Sequence, residues 1–254
     1  MAGGQMKVVL ITGGAKRLGQ AMAERFAAEG WQVCVHYHHS ASDAANLVAR
    51  LPQARSYGLD LLVADADFAG LIAQVVADCG RLDCVVNSAA LFEEDGFFEL
   101  SPAAFDRQLA VNFRAPLMLA AAFGQWLRQQ DARGSVVNIL DQKLFNLNPD
   151  YFSYTLSKLA LKESIRLQAM AAAPYLRVNG VAPGLTLLSG EQTADNFARA
   201  HRMTALGEGT RPQSVAEAVH FLAEAVQITG QVLTVDDGQH LLPLARDVMF
   251  AVEA

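Results

Sequence analysis

Lys7-Val-Val-Leu-Ile-Thr-Gly-Gly-Ala-Lys-Arg-Leu-Gly19 is the stretch on which the fold turns. Lys7-Val-Val-Leu-Ile11 is a short, continuous apolar run, the pattern of a parallel strand covered on both faces. Leu18, Met22 and Phe26 then recur at helical spacing, and Gly30 ends that helix. Between them, Thr12-Gly-Gly-Ala-Lys-Arg-Leu-Gly19 joins strand to helix directly. Glycines let such a turn close tightly and let a ligand approach the backbone, while the helix N-terminus offers N–H groups and positive potential to a phosphate. A glycine-rich turn alone is an ordinary connection. Its place after the first strand of a βαβ unit marks it as a phosphate-binding loop.

Outward from this stretch the same alternation continues. Residues 31–37 read as a second strand, followed by a helix near 42–51, a strand near 56–59 and a helix near 65–79. Residues 82–86 form a fourth strand, one long helix covers 102–129 with a kink near Pro116, and 134–140 is the fifth strand. A helix carrying Tyr154 runs to about residue 172, and 176–181 and 232–235 supply two more strands. The polar, mixed stretch 185–212 precedes a helix near 214–225. Its part from 185 to 203 is expected as a mobile flap, with Leu188 and Phe197 as candidate pocket walls. The fold class is α/β: a Rossmann-type doubly wound parallel sheet with helices on both faces. Residues 1–254 are expected as a single domain, 7–140 mainly its cofactor-binding half and 141–254 its catalytic and substrate-loop half. Ligands of such sheets lie beyond the strand C-termini, so the loops after the first, fourth and fifth strands matter most.

Composition excludes several classes. The chain has 254 residues, 52% hydrophobic and 18% charged, which suits one large core. A net charge of −6 argues against nucleic-acid binding. No apolar run reaches the ~20 residues of a membrane span, and residues 1–7 lack the apolar stretch of a signal peptide, so a cytoplasmic location is expected. Cys34, Cys79 and Cys84 are scattered and odd in number, reading as buried free thiols. His36, His38 and His39 lack the companion ligands of a metal site, and no metal is expected.

Tyr154 and Lys158 share a helix face at i, i+4, with Asp141 thirteen residues upstream of the tyrosine. A neighbouring ammonium lowers a phenol's pKa of about 10 toward usefulness as an acid or base. The spacing alone also fits an ordinary amphipathic helix. The end of the second strand, His36-Tyr-His-His-Ser40, carries no acid before Asp43. An NAD site usually places Asp or Glu there for the ribose hydroxyls. Its absence, with donors from Lys16, Arg17, the histidines and Ser40, favours NADPH over NADH.

Assembled, the motifs resemble the short-chain dehydrogenase/reductase family along nearly the whole chain. Thr12–Gly19 matches its cofactor loop, Asp60 falls where members contact adenine, and Asn87-Ser-Ala-Ala90 stands for its Asn-Asn-Ala-Gly-like motif. Asn112, Tyr154 and Lys158 match its catalytic residues, Pro183-Gly184 its turn after the sixth strand, and 231–238 its closing segment. The implied NADP(H) site comprises Gly13, Lys16, Arg17, Leu18, Gly19, His36, Tyr37, His38, His39, Ser40, Asp60, Asn87, Ser88, Ala89, Pro183, Gly184 and Thr186. A narrower resemblance, to the pteridine reductase branch, rests on Arg17, the His-Tyr-His-His run, Pro183-Gly-Leu-Thr186 and Asp141, which replaces the wider family's serine. His39 departs from that branch's phosphate-gripping arginine, and Ala90 from a serine that touches cofactor and ligand.

The resemblance implies that Lys158 holds the nicotinamide ribose and lowers the pKa of Tyr154. Tyr154 then gives a proton directly or through Asp141, and Asn112 supports the helix and a water linked to Lys158. Arg17, Phe92, Asp141 and Tyr154 would contact a pterin, with Phe92 as a stacking surface; Phe92 as plain core is the competing reading. A raised pKa would let Asp141 deliver the proton; ionised, it would accept from ring N–H groups; as a helix cap it would do neither. A carbonyl reductase of the same family and a non-catalytic dinucleotide-binding sensor are the alternatives. A homotetramer is implied, with 115–123 and 156–172 as packing helices.

Overall fold

A computed structural model describes residues 6–188 and 192–252. Seven strands form one sheet: β1 (Val8–Thr12), β2 (Gln32–Tyr37), β3 (Arg55–Gly58), β4 (Cys84–Asn87), β5 (Gly134–Ile139), β6 (Leu176–Pro183) and β7 (Val232–Val235). Their order is β3-β2-β1-β4-β5-β6-β7, and every pairing is parallel. The chain reverses direction across the sheet between β1 and β4, where Thr12 pairs with Asn87. That junction is where a doubly wound sheet opens a crevice.

The apolar run of β1 divides between two cores because successive side chains face opposite sides of the sheet. Val8 and Leu10 join Val85, Phe123, Leu161 and Ile165 beneath α3 (Phe68–Cys79), α5 (Ala115–Gln129) and α6 (Phe152–Ala172). Val9 and Ile11 join Met22, Phe26, Leu47 and Val219 beneath α1 (Arg17–Ala28), α2 (Ala41–Arg50) and α8 (Pro212–Glu224). Phe26 and Phe123 are wholly buried, and each such side chain contributes roughly 1.5–3 kcal/mol.

The long helix predicted over 102–129 is three pieces: α4 (Pro102–Leu109), a π-helical turn at Ala110–Arg114, and α5. Pro116 lacks an N–H and its ring crowds the carbonyl four residues back, that of Asn112, so the ladder widens there. The kink thus falls one turn before the proline. Within the predicted flap, Thr193 accepts from the Asn196 N–H and starts a helix, α7 (Ala194–His201). Its mostly exposed surface hid it from a periodicity reading. The flap's residues 189–191 lie outside the described residues. The short α9 (Val248–Ala251) closes the described chain.

No helix among the described residues is long and apolar enough to cross a membrane. All three cysteines are free; Cys34 and Cys84 are buried, whereas Cys79 is partly exposed, with its Sγ 3.6 Å from that of Cys34.

Candidate active site

The strand ends open onto a cleft of about 830 Å3. Its upper half is the glycine-rich turn. Gly13 has φ +61, and a Cβ there would meet the Ala89 backbone at 3.0 Å. A Cβ on Gly19 would come within 2.2 Å of the Gly13 carbonyl, so helix and turn pack with no room for a side chain. No side chain caps α1, which leaves the N–H groups of its first turn for an anion. The Thr12 hydroxyl accepts from the Ser88 and Ala89 N–H groups at 3.0 and 3.1 Å, clamping the two loops across the switch point.

The end of β2 separates its histidines by role. His36 is 2% exposed. Its Nδ1 accepts from the Gly13 N–H at 3.3 Å and its Nε2 lies 3.0 Å from the Leu59 carbonyl, the pattern of a neutral ring donating from Nε2. Burial pulls it down to about 4, against the opposing bond to Leu59. His36 therefore shapes the glycine turn, and although it lines the cleft it is almost wholly buried there. Tyr37 lies against Gly58 and off the cleft wall. His38 and His39 lie on the cleft wall with ring centres 3.6 Å apart and planes tilted at 37°, His38 lying 3.5 Å from Asp60. The Lys16 ammonium reaches this rim paired with Asp43 at 2.7 Å, and the Ser40 hydroxyl makes no capping bond to α2.

Asn87 and Asn112, both predicted at the site, are buried behind it. Asn87 donates to Asn138 Oδ1 at 2.8 Å, tying β4 to β5. Asn112 exchanges two hydrogen bonds with the Leu91 backbone and donates to the Ser157 hydroxyl at 3.0 Å. It links the loop after β4 to α6 one residue before Lys158. Its expected tie to Lys158 is this indirect one.

The lower half of the cleft holds the reactive groups. Tyr151 adopts φ +53 just before α6. The first turn is capped from a distant loop, Asp95 Oδ1 accepting from the Ser153 N–H at 2.9 Å. Tyr154 and Lys158 then share one face as their spacing requires. The Tyr154 hydroxyl donates to Asp141 Oδ2 at 2.9 Å, while Asp141 Oδ1 accepts from the Lys143 N–H at 2.8 Å. Asp141 thus caps a 3-10 turn at Gln142–Phe145 with one oxygen and engages the tyrosine with the other. Phe92 is not core: it is 39% exposed, stacked at 4.1 Å on Tyr151 and edge-on to Tyr154 at 4.7 Å.

Burial dominates the electrostatics. It raises Asp141 above the usual carboxylate range, and the bonds from Lys143 and Tyr154 oppose it. It lowers Lys158 to about 8, opposed by the charge of Asp141. Tyr154 is pushed well above the ordinary phenol value by burial, then by the charge and hydrogen bond of Asp141. The predicted lowering of Tyr154 by Lys158 does not hold in this arrangement. The ammonium stands 5.8 Å from the centre of the phenol ring and donates to the Ile139 carbonyl at 2.7 Å. Tyr154 is held as a phenol, the form that donates a proton.

Sequence reasoning missed the far wall. Asp247, Val248 and Met249 line the same cleft. Arg17 was placed at the cofactor turn. It has φ +53, and its guanidinium donates to the Leu188 carbonyl at 2.8 Å, tying the turn to the start of the flap.

A glycine turn at the switch point, with tyrosine and lysine on the helix after β5, defines a Rossmann-type oxidoreductase. The family model described as Enoyl-(Acyl carrier protein) reductase matches residues 13–240, and the chain belongs to the short-chain dehydrogenase/reductase family. Two solved structures of FolM alternative dihydrofolate reductase 1, each complexed with NADP, are similar at 37% identity. The Brucella canis protein has a TM-score of 0.86 over 93% of this chain and 95% of its own. The Brucella suis protein has 0.89 over 95% and 98%. Pteridine reductase 1 of Leishmania tarentolae is 31% identical over 92% of this chain and 96% of its own. A granaticin polyketide synthase protein of Streptomyces violaceoruber, named as a ketoacyl reductase, is 34% identical over the same shares.

Proposed function

We propose that the protein is an NADPH-dependent reductase that transfers hydride to a pteridine or dihydropteridine of the biopterin, dihydrofolate or dihydromonapterin type. One observation carries this reading: the 2.9 Å hydrogen bond from Tyr154 to a partly buried Asp141 at the reacting end of the cleft. The solved relatives named for dihydrofolate reduction and complexed with NADP support it. The reading treats residues 1–254 as one domain, cofactor half 7–140 and catalytic half 141–254, in a cytoplasmic homotetramer.

The residues present fit the cofactor. Gly13 and Gly19 let the turn pack closely against the Ala89 loop and the start of α1, and that uncapped helix start would supply N–H donors to a pyrophosphate. Lys16, His38, His39 and Ser40, all on the cleft wall, would be the donors for a 2′-phosphate; Asp60 would meet the adenine and Lys158 the nicotinamide ribose. When bound, the reduced nicotinamide supplies a hydride.

The chain's task is the proton. Reducing a ring C=N bond needs one at the nitrogen beside the carbon that takes the hydride. Tyr154 holds it on a phenol kept protonated by its surroundings, with Asp141 Oδ2 as its hydrogen-bond partner. A carboxyl raised by burial can take that proton and give it to a ring nitrogen. Phe92 offers an aromatic wall for a flat ring, Arg17 a guanidinium on the opposite rim, and Asn112 keeps α6 in register.

The second reading, a ketone or oxoacyl reductase, is favoured by the ketoacyl reductase likeness. NADPH oxidation assayed with biopterin, dihydrobiopterin, dihydrofolate and dihydromonapterin separates the two. Turnover of at least one pterin is expected; turnover of a simple ketone with none of the pterins would establish the second reading.

A further inference from the structure

Two opposite, paired charges act on Asp141: Lys143, on the turn that Asp141 caps, and Asp247, in the wall that sequence reasoning missed. Lys143 is 3% exposed. Its ammonium donates to the Asp150 carbonyl at 2.6 Å, pairs with Asp247 Oδ2 at 3.3 Å and lies 5.3 Å from the centre of the Tyr151 ring. Asp247 is partly buried and uses its other oxygen to cap Met249 N–H at 3.2 Å. Further ties seat the same segment. Arg246 pairs with Asp150 at 2.9 Å, Tyr151 donates to the Met249 sulfur at 3.0 Å, and Asn196 on α7 donates to the Met249 carbonyl at 2.8 Å. The C-terminal segment and the turn after Asp141 thus meet at one largely buried ion pair, and the flap helix joins them through Met249.

We propose that Lys143 and Asp247 are positioning residues for Asp141: a single ion pair that seats residues 246–250 as a wall of the cleft and balances the charge around the Asp141 carboxyl. The proposal rests on the reading that Asp141 exchanges a proton during turnover. The charged and titratable groups facing Asp141 are Tyr154 and Lys158 from α6, Lys143 from the turn after β5, and Asp247 from the C-terminal segment. Asp150, Arg246 and Tyr151 face the pair from outside, and Glu94 adds a more distant negative charge to Tyr151 and Arg246. Lys143 favours the ionised carboxylate and Asp247 disfavours it, so with both present their effects on Asp141 offset.

Opposed charges give a signature that a purely structural tie cannot. Removing Asp247 leaves Lys143 uncompensated and makes Asp141 more acidic. Removing Lys143 leaves Asp247 uncompensated and makes it less acidic. A tie that only held the segment would give the same change from either side.

The test is a 13C NMR titration of the full chain labelled at the aspartate carboxyl carbons, with the Asp141 signal assigned by Asp141→Asn. Asp247→Asn is expected to move the Asp141 midpoint down and Lys143→Met to move it up, each by about half a pH unit or more. The double variant returns it close to the parent. Shifts of the same sign, or no shift in either single variant, overturn the proposal. If Lys143→Met does not fold, Lys143→Arg decides with Asp247→Asn. Arginine must leave the midpoint in place while Asp247→Asn lowers it, and any other combination counts against the pair. The readout needs no turnover. A chain that reduces no pterin yet shows opposed shifts keeps the charge balance and loses the substrate reading.

Discussion

Lys158, 2% exposed and lowered to about 8 by burial, carries a charge that the fold holds at some expense to its stability. The unfolded lysine, with its ordinary value of 10.5, binds its proton more tightly than the folded one. Below pH 8 the penalty is present in full, on the order of 3 kcal/mol for a shift of this size. Between pH 8 and 10.5 the unfolded state binds more protons, so Lys158 makes stability rise with pH through that window. Lys158→Met is therefore expected to raise the melting temperature by a few degrees at pH 7 while abolishing activity. Its advantage over the parent should shrink from pH 7.5 to 9.5 in parallel thermal melts. Tyr154→Phe is expected to lower kcat by about 10^2–10^4-fold, the usual reach of a positioned proton donor, with little change in melting temperature. Steady-state assays with NADPH check it. At this scale Tyr154, Lys158 and Asp141 were legible because helix spacing and strand exit are local facts. Lys143 and Asp247 were not, since their contact spans 104 positions. The link between Tyr154 and Asp141 was implied by the family resemblance, but the sequence could not show that the Lys158 ammonium would be engaged by the Ile139 carbonyl.

At the scale of elements, the cofactor turn and the alternation of strands and helices could be read because each depends on short-range periodicity and glycine placement. The π turn before Pro116 could only be read as a kink. Its position is set by the ring's clash one turn back and by Asn112, whose side chain bonds a loop and another helix. Asn112→Ala removes the side-chain partner of both Leu91 backbone groups and of the buried Ser157 hydroxyl and is expected to cost about 1–3 kcal/mol, read as a lower urea midpoint. The start of α6 was equally hidden, because its cap, Asp95, lies 58 residues away. Asp95→Ala is expected to cost about 1 kcal/mol in the same measurement. It should also reduce kcat more than an exposed cap elsewhere, since α6 carries both Tyr154 and Lys158.

For the whole molecule, one parallel sheet brings the ends of β1, β4, β5 and β6 to a single cleft, and the C-terminal segment completes it. The doubly wound parallel class followed from the alternation of elements; the strand order and the closing wall came only with the structure, because nothing local marks 246–250 as part of a site. The acid-free end of β2 leads us to expect stronger stabilisation by NADP+ than by NAD+. At a ligand concentration a hundredfold above Kd the gain is about 2.7 kcal/mol, and a thermal-shift series with both nucleotides reads the difference. Arg17→Ala cuts the tie to Leu188 and is expected to raise KM for substrate more than it lowers kcat.

In the proposed function Asp141, standing where the family resemblance implies a serine, fits the cleft to a pterin. The decisive measurement is kcat/KM for dihydrobiopterin and for a 3-oxoacyl thioester, in the parent and in Asp141→Ser. The parent is expected to favour the pterin, and Asp141→Ser to lose pterin reduction by about 100-fold or more while keeping or gaining thioester reduction. A parent that favours the thioester, or an Asp141→Ser variant that reduces dihydrobiopterin as well as the parent does, would contradict the account.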